Sequence, residues 1–346
     1  MVRVVGALPA QFLRRPERSP LQQKGPQAGC GLHESISREF GEVGEGGELI
    51  MNKNSRIALV REDLLYRWFS ESEDFRWDIS EWQLSDAIAF MAARRLLGNE
   101  ELTEMGSLLE ASGMLGPSAS YSRSIIRRLV ARRLIWPSPN TPDVSLFLGA
   151  DEKDDIPARV YIETASWVPP SLDDGGPGGM DIFKQIEATI VTGNWPVAWI
   201  EAVDVLHREI AVYECVAYFE YICEDHGFEP QVGKKTIAAI NKSLNTFSVG
   251  QTFGFMWRAV KDAASMYLRR DIGKREALNY AKAGLTRMPE RAIADHWDVK
   301  AYKRNYDLDR SEIAVVLFDV ALKMGDAKFL VSPVPCSRTG SVVADV

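Results

Sequence analysis

No window of 18 consecutive apolar residues occurs in the 346-residue chain, so a membrane-spanning helix is not expected. Cysteine is scarce and scattered at Cys30, Cys215, Cys223 and Cys336. That spacing offers no metal or dithiol motif and predicts reduced thiols in a cytoplasmic protein. Arg14 and Arg15 are followed by no apolar stretch, so no secretory signal is expected. A Walker phosphate loop, a G-x-S-x-G elbow and an H-E-x-x-H metal motif are all missing. Histidine is limited to His33, His207, His226 and His296. Asp204-x-x-His207 places a carboxylate and an imidazole one helical turn apart, but a di-metal bundle needs a second such pair and further carboxylates. The pair reads as solvated helix surface, and His226, in Glu224-Asp225-His226-Gly227, reads as a helix C-terminus. The sequence therefore predicts no catalytic residues, no metal and no cofactor, and leans away from an enzyme.

The most informative absence is of negative charge. Between Glu110 and Asp143 there is no acidic residue, while Arg123, Arg127, Arg128, Arg132 and Arg133 fall in that window. The whole chain is acidic, with a formal net charge of -7. A basic window in such a chain calls for an anionic partner or for carboxylates supplied by neighbouring elements.

Composition divides the chain unevenly. Residues 1–50 are rich in glycine and proline and lack periodicity; they read as a disordered leader. Gly44-Glu45-Gly46-Gly47-Glu48 has codons compatible with a purine-rich ribosome-binding sequence just ahead of Met51, so translation is expected to begin at Met51. Residues 51–166 read as helices followed by a β-hairpin. Leu84, Ile88, Met91 and Ala92 mark a helix from Glu81 to Leu97, ended by Gly98-Asn99. A second helix is expected from Leu102 to Ala111, and a third from an N-cap at Ser118 to about Arg133. Val144–Leu148 and Arg159–Glu163 read as two strands. The Gly/Pro run within 167–179 reads as a linker. Residues 180–330 read as all-helical, with stripes around Ile210–Phe219 and Phe253–Leu268. A capping box is expected at Asp309-Arg310-Ser311-Glu312, with Gly325 closing the last helix. Residues 331–346 read as a flexible tail. The expected fold class is mainly α.

On a helix at 100° per residue, Tyr121, Ile125, Ile126, Leu129 and Val130 share a broad apolar face. Ser120, Arg123, Ser124 and Arg127 lie opposite, with Arg128 at the edge. Guanidinium forks separated by short serines suit DNA, because arginine bonds guanine edges or phosphates bidentately. Arg132 and Arg133 lie nearer the buried side and are expected to snorkel.

This order — helix, turn, arginine helix, Leu134-Ile135 exit, hairpin — resembles winged helix-turn-helix DNA-binding proteins over residues 81–165. The resemblance implies a domain in which Ser120, Arg123, Ser124, Arg127 and Arg128 face double-stranded DNA. Three positions depart from it. Arg133 stands where the family commonly has glycine, the Ser112–Pro117 turn is long, and the wing tip Asp151–Asp155 is acidic. The alternative is a trihelical scaffold whose arginines pair with carboxylates such as Glu100, Glu101 and Glu104.

Charge is also segregated downstream. Residues 167–230 carry 12 acids against two bases, and residues 231–310 carry 16 bases against eight acids. Arg258, Lys261, Arg269, Arg270 and Lys274, near Tyr267 and Tyr280, are candidate phosphate contacts. Complementary packing or plain solvation is the competing explanation. Two functions follow: a DNA-binding protein with a helical assembly or effector region, or a helical interaction protein that binds another protein or itself and no nucleic acid.

Overall fold

Leu84, Ala87, Ile88, Met91 and Ala92 recur at helical spacing and are wholly buried in α1, Leu84–Leu97. A computed structural model describes residues 57–62, 79–101, 103–146, 160–169 and 179–333, all of which fall in one compact unit, Lys53–Val346. The expectations for residues 1–50, for the acidic 151–155 tip, for 170–178 of the linker and for the 334–346 tail concern residues outside the described ones.

The described chain is mainly helical. α2 spans Ala119–Ala131, α3 Gly179–Thr192, α4 Val197–Asp225, α5 Lys234–Ser243, α6 Val249–Leu268 and α7 Lys274–Ala294. A last turn of α-helix, α8, Glu312–Ala314, winds on as a π-helix through Val315–Ala321. A small antiparallel sheet pairs β1, Trp136–Pro137, with β2, Trp167–Val168. No helix among the described residues is long and apolar enough to cross a membrane.

Two large cores hold these elements. The first gathers apolar residues of α1 and α2, Ile182, Ile186 and Ile190 of α3, Trp199 to Ile210 of α4, and Ile313 to Phe318. It draws on both sides of the Gly/Pro stretch at 167–179. The second gathers Ala211 to Cys223 of α4 with α5, α6 and α7. The long helix α4 thus belongs to both, which explains why its apolar residues are not confined to one stripe. Cys215 and Cys223 are buried free thiols in the second core; burial pushes the Cys223 thiol up to about 12.

Several local expectations are corrected. Residues 103–111 do not form a helix. The Asn99 side-chain oxygen accepts from the Thr103 and Glu104 N–H groups, closing a turn, and Met105 exchanges two backbone bonds of 2.8 Å with Trp167. Side-chain-to-backbone bonding of this kind competes directly with helix formation. The expected strands at 144–148 and 159–163 reduce, among the described residues, to a short 3-10 turn, Asp143–Ser145, and one bridge between Leu146 and Val160. The ribbon instead uses Trp136–Pro137 and Trp167–Val168, so the expected linker begins inside the sheet. The capping box at Asp309 is replaced by an N-cap at Ser311 without a side-chain bond. A capping box does form at α6, where Ser248 and Gln251 satisfy each other's backbone N–H groups.

Glycine has a specific task in α6. Tyr302 donates its backbone N–H to Gly250 O at 2.9 Å. A Cβ on Gly250 would overlap the Tyr302 carbonyl and come within 2.9 Å of the Phe329 carbonyl. Gly250→Ala is therefore expected to lower stability by about 1–3 kcal/mol, readable as a reduced urea midpoint.

Candidate nucleic-acid interface

The arginine helix forms as its sequence suggests. The Ser118 hydroxyl accepts from the Tyr121 N–H at α2's start, and Tyr121, Ile125, Ile126 and Leu129 are buried. At the other end Leu134 N–H reaches Leu129 O at 2.9 Å across Arg133, which has φ 59. This is a Schellman-type closure, and it explains why glycine suits the Arg133 position: the left-handed conformation strains any Cβ.

α2 is docked, and that docking uses part of its charge. Tyr121 stacks on Tyr213 of α4 at 4.3 Å between ring centroids. Arg128 Nη2 donates to Glu209 Oε1 of α4 at 2.6 Å, half-buried on both sides. Burial lowers the Arg128 pKa, but Glu209, together with Tyr121 and Asp86, more than offsets this and holds it above its usual value. Arg132 Nε meets Asp86 Oδ2 at 3.0 Å, with Asp86 almost fully buried. These two arginines thus pair with carboxylates, supplied by α1 and α4 rather than by Glu100, Glu101 or Glu104.

The opposite face stays open. Ser120 and Arg127 are exposed, and Arg123 and Ser124 are partly so. Arg123 Nη1 pairs with Glu163 Oε1 at 3.1 Å, with side chains 38% and 44% exposed. An exposed pair of this kind contributes about 0–1 kcal/mol, so an incoming phosphate can displace it. The Ser124 hydroxyl donates to Tyr121 O at 2.7 Å. Arg127 has no carboxylate partner among the described residues.

The second set of cations lies on α6, α7 and the turn between them. Arg258 and Arg291 both lie over the Trp297 ring, at 5.9 and 5.6 Å from its centroid. Lys261 sits 4.5 Å over Trp257, and Arg287 4.5 Å over Tyr280. Arg269 and Arg270 are exposed and make no salt bridge among the described residues; Lys274 reaches Glu229 at 3.6 Å. Arg291, Arg287 and Trp297 carry no signal in the sequence, and Trp257, which reads there as part of an apolar core stripe, is 37% exposed. Their helical spacing alone does not distinguish a cation–π surface from a plain solvated face.

His207 is the clearest correction among the chemistry-bearing residues. It is 7% exposed and packs edge-on to Phe318 at 5.0 Å, not on solvated surface. No cluster of three or more potential metal ligands occurs among the described residues. His226 does cap the C-terminus of α4. A scan against protein-family models returns no match, and searches of curated proteins and of solved structures also return none.

Proposed function

We propose that this protein binds double-stranded DNA, with the open face of α2 as its reading surface. The observation that carries this is Arg127: an exposed guanidinium without a carboxylate partner, in an acid-free segment of an acidic chain. Ser120, Arg123 and Ser124 flank it on the same face. Arg128 belongs to the α2–α4 contact and is not part of the reading surface. Of the winged-helix order, α1, α2, the Leu134-Ile135 exit and the β1–β2 ribbon are present; the ribbon is shifted outward from its expected residues, and turns replace the expected helix over 103–111. Arg258, Lys261, Arg269 and Arg270 add phosphate contacts, whose contribution depends on salt and not on sequence. Lys274 is in a 3.6 Å exposed pair with Glu229, which a phosphate can displace as it can the Arg123 pair.

The test is a double variant, Arg123→Ala with Arg127→Ala, in a duplex-binding titration. Affinity is expected to fall about tenfold or more, and the salt slope by about two, with circular dichroism unchanged. Binding equal to that of the unaltered protein contradicts the assignment.

A second reading is a protein-assembly component. Val197 and Ile200, at the start of α4, are 71% and 51% exposed, and Val191 of α3 is 48% exposed. Val197 and Ile200 share one face of α4 by their spacing, and exposed apolar residues of this kind suit a protein partner or a second copy of the chain. That reading predicts a co-purifying partner or oligomer and no affinity for nucleic acid.

A further inference from the structure

A groove of about 490 Å3 opens where α4, α6 and residues 302–307 meet. Its floor is aromatic: Tyr218 and Phe253 stack at 4.0 Å with their planes 14° apart. Its walls are aromatic too. Trp257 and Tyr302 remain 37% and 39% exposed. The Tyr302 ring rests over Gly254, where a Cβ would lie 3.6 Å from it, and Gly250 anchors the Tyr302 backbone. The pair of glycines one turn apart on α6 therefore seats this wall.

Polar groups line the rim. The Tyr221 hydroxyl donates to Asp307 Oδ2 at 3.0 Å, which fixes the phenol; no side chain among the described residues donates to the other carboxylate oxygen of Asp307. Asp225 and Asp307 supply two carboxylates against one lining ammonium, Lys303. Asp225 Oδ2 also lies 3.4 Å from His226 Nδ1. The Tyr218 hydroxyl makes no hydrogen bond to another described residue. Burial, with the phenols of Tyr302 and Tyr221, pushes it up to about 12, so it stays neutral.

Trp257 and Tyr302 are the exposed rings of this lining, beside a stacked and nearly buried Tyr218–Phe253 pair, in a space rimmed by carboxylates. Aromatic faces attract cations electrostatically, and do so most strongly where water is excluded. Trp257 already demonstrates this preference, since the Lys261 ammonium sits 4.5 Å over its ring.

We propose that this groove is a binding site for a small organic ammonium ion, quaternary or N-methylated. Trp257 and Tyr302 flank the alkylated nitrogen, and Asp225 and Asp307 complement its charge. This does not depend on DNA binding. The same ammonium chemistry is offered by a free small molecule or by a methylated lysine side chain, and the experiment separates them.

The experiment uses the full chain and follows the N-methyl proton resonance of choline and, separately, of Nα-acetyl-trimethyllysine methylamide as protein is added. 3,3-Dimethylbutan-1-ol serves as the neutral isostere of choline. At least one cation is expected to broaden saturably and to bind about tenfold or more tightly than the isostere. The tighter of the two identifies the source. Trp257→Leu and Asp225→Asn are each expected to weaken binding severalfold, with the thermal melt unchanged. Absence of saturable binding by both cations in the millimolar range overturns the proposal. So does equal binding of the neutral isostere, or indifference to both substitutions in proteins that remain folded.

Discussion

Alanine in place of Lys328 is expected to lower the unfolding free energy by about 3–5 kcal/mol. The Lys328 side chain is 5% exposed, and its Nζ donates to Glu214 Oε1 of α4 at 2.8 Å. It also lies 4.5 Å over Phe318 and 4.9 Å over Phe329, so its charge is held by two rings as well as by one carboxylate. Removing the ammonium leaves Glu214, itself largely buried, without compensation. A domain of ordinary stability has only about 5–15 kcal/mol in total, so the loss is a large fraction of it. The paired replacement Lys328→Met with Glu214→Gln removes both charges and is expected to recover most of the loss. Urea unfolding curves of the three proteins check this. A loss below about 1 kcal/mol for Lys328→Ala would mean that water reaches the pair freely.

Acid is expected to produce the second large effect, through His207. Burial pulls its pKa down to about 4; Asp204 opposes this, and Lys328 adds to it. An unfolded histidine titrates near about 6.5, so on acidification the unfolded state binds the proton first. The stability from keeping His207 neutral is complete above about pH 6.5 and is lost progressively as pH falls to about 4. The loss amounts to about 3 kcal/mol over that window. His207→Phe is expected to flatten that part of the pH profile, since phenylalanine keeps the edge-on packing against Phe318 without a titrating nitrogen. A profile equally steep in the variant would assign the acid sensitivity to other groups.

These two residues also show where the sequence was silent. The Asp204-x-x-His207 spacing is the same on a solvated helix as on a buried one. His207 is buried because Phe318, more than 100 residues later, covers it. Glu214 likewise meets its cation at Lys328, outside the basic 231–310 stretch expected to complement the acids. By contrast α1, α2 and α6 were legible, because apolar residues at helical spacing, Ser118 and Gly98 are local signals. The 102–111 segment misled for a local reason: its composition is helical, but the Asn99 side chain and Trp167 claim its backbone. The ribbon was displaced because strands of two residues carry no alternation to read. Of the proposed reading surface, the face was legible and the pairing was not. Spacing put Arg123 and Arg127 outward, while Glu163 and Glu209, which engage Arg123 and Arg128, arrive through tertiary packing. The aromatic groove had one unread signal, Gly250 and Gly254 four residues apart among the aromatic residues of the first half of α6.

The central claim is that this acidic chain binds DNA through the open face of α2. Fluorescence anisotropy of a labelled random duplex, titrated with protein at about 50 mM and about 200 mM salt, tests it most directly. A saturable rise is expected at the lower salt, with a loss of affinity of tenfold or more at the higher and a marked loss in the Arg123→Ala, Arg127→Ala protein. No rise at low salt, or binding by that variant equal to the unaltered protein, would contradict it.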